Sequence, residues 1–89
     1  MKSILFYWGK GAETRVTIIK IIGECNQKRQ PCYLNQLAQK MNLSHVAIMK
    51  QLDLLREEGY LHEINPDGKP IYLELSLKGQ QIAQEFQKQ

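Results

Sequence analysis

The side chains in this chain that could do chemistry are few, and their spacing favours binding over catalysis. Two cysteines, Cys25 and Cys32, and two histidines, His45 and His62, are the soft or titratable groups to consider first. There is no Cys-x-x-Cys, and neither histidine stands where it would complete a zinc site with the cysteines. Two reduced thiols, buried or half-buried, are therefore the expected state. A disulfide between Cys25 and Cys32, closing the loop between two helices, is the alternative, and it would act as a redox switch only if it were labile. Gly9-Lys10-Gly11 is too short to cradle a phosphate, and no paired carboxylates or Ser-His-Asp pattern carry a role. A domain of this size has no room for both a core and a deep pocket. The expectation is no enzyme, no cofactor and no metal.

The cationic side chains are more informative. The net charge of +3 is modest, but its distribution is uneven. No acidic residue lies between Glu24 and Asp53, while Lys28, Arg29, Lys40 and Lys50 all fall inside that span. Just beyond it, Asp53, Glu57, Glu58 and Glu63 surround the single Arg56. A locally positive region of this kind suits a phosphate-bearing partner. A chance excess on a solvated face would look the same.

These residues must be positioned by elements whose signals are local. From Ala12 to Cys25 the apolar Ile18, Ile19, Ile22 and Cys25 recur at helical spacing, widened by Val16 and Ile21. Four isoleucines and a valine also suit a strand, but length favours a helix, with a stop at Gly23. Residues 26–31 read as a loop. Leu34, Leu37, Ala38 and Met41 line one face of a short helix. Asn42-Leu43-Ser44 is a turn with Leu43 pointing inward, and Ser44 is the N-cap of a second helix locked by Ile48, Leu52 and Leu55. At about 100° per residue, Val46, Lys50, Asp53 and Glu57 then point outward, with Ala47 and Met49 on the shoulders. Gly59 supplies a left-handed helix end. Residues 60–64 and 71–75 flank a turn at Pro66-Asp67-Gly68, which makes a β-hairpin with Lys69 near its tip. Ser76 caps a last helix carrying Leu77, Ile82, Ala83 and Phe86 on one side.

The order helix, helix, turn, helix, hairpin, helix is that of a winged helix-turn-helix, mainly α with a β-hairpin wing. The residues bear this out as a resemblance. Leu43-Ser44 through Arg56-Glu57-Glu58-Gly59-Tyr60-Leu61 resembles the MarR and ArsR regulator families, and Leu75-Ser76-Leu77-Lys78-Gly79 resembles the start of their post-wing helix. Residues Trp8 to Arg15 resemble the opening of small archaeal proteins of this group. The resemblance implies a transcriptional regulator that binds double-stranded DNA. It implies that Ser44, His45, Val46, Ala47, Met49 and Lys50 lie on the recognition helix, and that Asn65, Asp67, Gly68 and Lys69 lie on the wing tip. Lys50 would contact a guanine edge or a phosphate, and Val46, Ala47 and Met49 would pack on thymine methyl groups. These families usually carry polar residues at those positions, so strong sequence discrimination is not implied. The cysteine-x-cysteine of metal-sensing members is absent. Two further readings stand beside this one: a winged-helix module for protein–protein contact, and a DNA binder with little sequence preference.

The 89 residues allow one domain, 1–89. Such a domain hides only about 60% of its unfolded surface, so help from a partner chain is expected. A homodimer suits DNA half-sites, with contacts from segment 1–11, helix 76–89, or both. Phe6, Tyr7 and Trp8 either belong to that contact or cap the chain's own core. No apolar run is long enough to cross a bilayer, and Met1-Lys2-Ser3 does not begin a signal peptide, so a cytoplasmic protein is expected. No effector ligand is named by the residues.

Overall fold

The computed structural model of the chain describes residues 4–7, 9–64 and 72–87. The described elements run α1 (Ile4–Tyr7), α2 (Ala12–Gln27), α3 (Leu34–Met41), α4 (His45–Glu57), β1 (Leu61–Ile64), β2 (Tyr72–Leu75) and α5 (Leu77–Gln87). The turn joining the two strands, with Asn65, Gly68 and Lys69, lies outside the described residues.

α2 is the central post. Ile18, Ile19 and Ile22 are fully buried along it, which decides for a helix over a strand. The expected stop at Gly23 is wrong. The helix passes through Gly23 and takes in Asn26 and Gln27, both expected in the loop. Gly23 is small for packing: a Cβ there would stand 3.1 Å from the Ala83 Cβ and 3.3 Å from the Leu75 Cδ1. Its lack of a side chain lets α5 and β2 lie against α2. The chain leaves the helix at Arg29, which takes a left-handed φ of 55°. That conformation costs a non-glycine residue about 1–2 kcal/mol. It is offset by two closing bonds, Gln30 N–H to the Cys25 carbonyl at 2.9 Å and Arg29 N–H to the Asn26 carbonyl at 3.1 Å.

α3 and α4 are joined by a short turn built the same way. Asn42 is left-handed at φ 53°, and the Leu43 N–H donates to the Ala38 carbonyl at 3.1 Å. Leu43 itself does not point inward as expected, since 38% of it is exposed. With Leu37, Ala38, Ile48, Leu52 and Leu55 all buried, the two helices close on each other without it. The Ser44 hydroxyl accepts from the Ala47 N–H at 3.1 Å, as an N-cap should. At the other end, Gly59 has φ 81°, and the Tyr60 N–H reaches the Leu55 carbonyl at 2.9 Å.

The strands pair antiparallel in the register Leu61 with Leu75, His62 with Glu74, Glu63 with Leu73 and Ile64 with Tyr72. The outer edge of β2 is also occupied. The Leu73 N–H donates to the Cys32 carbonyl at 2.8 Å, Tyr33 forms a bridge with Tyr72, and the Asn26 side chain accepts from the Leu75 N–H at 2.9 Å. The segment before α3 therefore adds an isolated bridge to the edge of the two-stranded sheet.

α5 begins at Ser76, whose hydroxyl accepts from the Gly79 N–H at 3.1 Å. Ile82, Ala83 and Phe86 face the core, but Leu77 does not: it is 71% exposed. Phe6 of α1 is buried edge-on between Tyr60 and Phe86, at centroid distances of 4.9 and 5.5 Å. It caps the chain's own core, while the neighbouring Tyr7 is 38% exposed. Trp8 lies outside the described residues.

Candidate nucleic-acid interface

The first two turns of α4 form the surface of interest. Ser44, His45, Val46 and Lys50 are exposed there. Ala47 is half-buried, and so is Met49, which packs against the core cluster. Of the three apolar side chains assigned to this face, only Val46 is therefore fully presented. Ile48, Leu52 and Leu55 hold the opposite face inside.

Charge sharpens the picture. Asp53 is the first acidic residue along the outer face of α4, and its carboxylate receives the Arg56 guanidinium at 2.8 Å. Exposed pairs like this contribute little stability, but the pairing offsets negative charge near Lys50. Lys28 is drawn the other way. It pairs with Glu24 at 3.0 Å, and the Lys28 ammonium holds the Glu24 carboxyl below its ordinary value. Lys28 thus adds less to the positive surface than the acid-free span suggests. Lys40 and Lys50 are both exposed.

The far end of α4 is tied to the root of the wing. The Lys78 ammonium donates to the Glu58 carbonyl at 2.7 Å and lies 4.3 Å from the centre of the Tyr60 ring. A cation there complements the negative end of the helix. The Ser76 hydroxyl donates to the Gly59 carbonyl at 2.6 Å. These bonds set the angle at which the hairpin leaves α4.

Sequence reasoning missed one residue that positions this surface. Arg15 is only 4% exposed. Its guanidinium donates to the Leu5 carbonyl at 2.6 Å, to the Lys10 carbonyl at 3.2 Å and to the Gln51 Oε1 at 2.8 Å. One side chain therefore joins α1, the loop after it, and α4. Its only sequence signal was membership of the Trp8–Arg15 stretch.

Cys25 and Cys32 are both free thiols. They line a cleft of about 480 Å³ with Ile21, Leu37, Gln36 and Lys40. Burial, and then the neighbouring Cys25, push the Cys32 thiol up to about 12. The described residues contain no cluster of three or more potential metal ligands. No helix among them is long and apolar enough to cross a membrane.

No protein-family model and no curated protein sequence matches the chain. Solved structures do. AF1382 of Archaeoglobus fulgidus superposes with a TM-score of 0.79 at 21% identity, covering 97% of this chain and 91% of that one. Streptococcus pneumoniae FabT, in complex with DNA, gives 0.73 at 16% identity over 96% of this chain and 60% of FabT. The reduced form of MarR from E. coli gives 0.69 at 16% identity over 84% of this chain and 54% of MarR. The fold is a winged helix-turn-helix. At these identities the likeness is one of fold. The chain spans about half the length of the E. coli MarR and Lactococcus lactis ZitR chains that it matches.

Proposed function

We propose that the chain is a transcriptional regulator that binds double-stranded DNA, with no catalytic role. The N-terminal half of α4 enters the major groove, and the wing around residues 65–70 lies on the minor groove or the phosphates. His45 and Lys50 meet phosphates or base edges, and Asn65, Gly68 and Lys69 extend the contact through the wing. The observation that carries this reading is the outer face of α4: His45, Val46 and Lys50 stand exposed on it, and the first carboxylate, Asp53, is already paired with Arg56. FabT, of similar fold, is seen in complex with DNA. The working unit is a cytoplasmic homodimer, whose contacts draw on segment 1–11 and helix 76–89. Tyr7 and Leu77, both large, apolar and exposed, belong to those segments.

The test is equilibrium binding of the full chain to random duplex across a salt series, followed by selection of preferred sites. Binding should weaken with log salt by about 0.9 per phosphate neutralised, and one sequence should out-compete the random pool. Absence of duplex binding at low salt would overturn this reading in favour of a protein partner. Binding that no competitor sequence alters would leave a DNA binder without specificity. Lys50→Ala should cost about 1–3 kcal/mol if the ammonium reads a base.

A further inference from the structure

Val46 is 80% exposed, the most of any large apolar side chain among the described residues. Nothing among the described residues covers it. It packs against no core residue, and valine is a poorer helix former than the polar residues that usually occupy an exposed helical position. Its position is defined all the same. Ser44 caps the helix two residues before Val46, and the chain approaching the cap is closed by the left-handed Asn42. In a helix a valine holds one χ1 rotamer about 90% of the time, so the isopropyl group is presented rigidly and loses little freedom on contact.

The surroundings narrow what it can meet. Met49 is committed to the core and Ala47 is half-buried, so the one large apolar side chain that α4 leaves exposed is Val46. That is small for a protein interface, which needs a contiguous patch of a few hundred Å². It matches a single methyl group. Lys50 lies one turn further along the same side of the helix, and no acidic residue precedes Asp53 on it, so the frame around the valine suits a polyanion. On the major-groove edges of DNA the apolar group is the thymine C5 methyl.

The geometry points to Val46 as a specificity-determining residue that selects thymine at one base-pair position for each recognition helix. This rests on the reading of α4 as a DNA-binding helix. It also revises the expectation that Val46, Ala47 and Met49 read thymines together.

The experiment uses a duplex selected by the full chain from a random pool. Each thymine is replaced in turn by deoxyuridine, which removes the methyl group and leaves base pairing intact. One position per half-site should lose about fourfold in affinity, the equivalent of ~0.8 kcal/mol for one buried carbon. With Val46→Ala the same replacement should have no effect, so that the two changes are fully coupled rather than additive. If every replacement is silent in the parent protein, or if the sensitive position stays sensitive in Val46→Ala, the assignment fails and DNA binding stands. If the parent protein binds no duplex at all, the underlying reading fails with it.

Discussion

Cys32 shows how one residue's chemistry follows from its place. The residue is 2% exposed, while its carbonyl holds β2 through the Leu73 N–H. Burial raises its pKa from 9.0 to about 12. The folded state thus holds this proton more tightly than the unfolded chain does. The resulting stabilisation is complete below the ordinary thiol range and is lost as pH rises through 9 toward 12. Two outcomes are expected. At pH 8 the native protein should leave Cys32 unalkylated while the unfolded chain modifies at both cysteines, as mass spectrometry would show. The melting temperature of Cys32→Ser should also fall less steeply above pH 9 than that of the parent protein. Rapid native alkylation of Cys32 would contradict the burial. The two caps were readable at this same scale, because Ser44 and Ser76 act on N–H groups three residues away.

Elements reveal what single residues conceal. Three helices end on left-handed residues, but only Gly59 announces this by type; Arg29 and Asn42 do it with side chains. Gly59 and Gly79 then differ in kind. Gly59 has open space around it and needs its φ of 81°. Gly79 sits in the first turn of α5, where a Cβ would collide with the Tyr60 carbonyl oxygen. That oxygen already accepts from the Ser76 N–H at 3.0 Å, where β1 and α5 meet. Glycine to alanine within a helix ordinarily stabilises by up to about 1 kcal/mol. Here Gly79→Ala should destabilise by about 1–3 kcal/mol, because the obstacle is backbone. Urea unfolding would check this, and a rise in the midpoint would refute the close approach. Ser44→Ala should cost about 1 kcal/mol by the same measurement, through loss of the cap.

For the whole molecule, Arg15 is the residue that makes α1 and α4 one body. Replacing it with methionine keeps much of the stem and removes the donors to Leu5, Lys10 and Gln51. Loss of buried hydrogen bonds to a charged group should destabilise by about 2–4 kcal/mol. Amides in residues 4–7 should exchange faster in Arg15→Met. A cycle of Arg15→Met with Gln51→Met should show coupling above about 0.5 kcal/mol. Additivity within error would mean that the two side chains do not act together. Lysine should not rescue Arg15, since one ammonium cannot reproduce the guanidinium's fork of donors.

The sequence by itself determined what is set within a helical turn or a tight bend: the order of elements from α2 onward, the buried stripe of α2, the Ser44 and Ser76 caps, and the close at Gly59. Those signals arise between residues three or four apart, where backbone geometry alone brings them together. Only the tertiary structure decided the rest. Arg15 meets Gln51 across 36 residues, and Asn26 meets Leu75 across 49. The continuation of α2 through Gly23 depends on Ala83 and Leu75 lying against it. Leu43, Met49 and Leu77 have the hydrophobicity of core residues, and whether such a side chain is covered depends on which distant element reaches it. Covering Met49 and leaving Val46 bare reduced three apolar candidates on α4 to one.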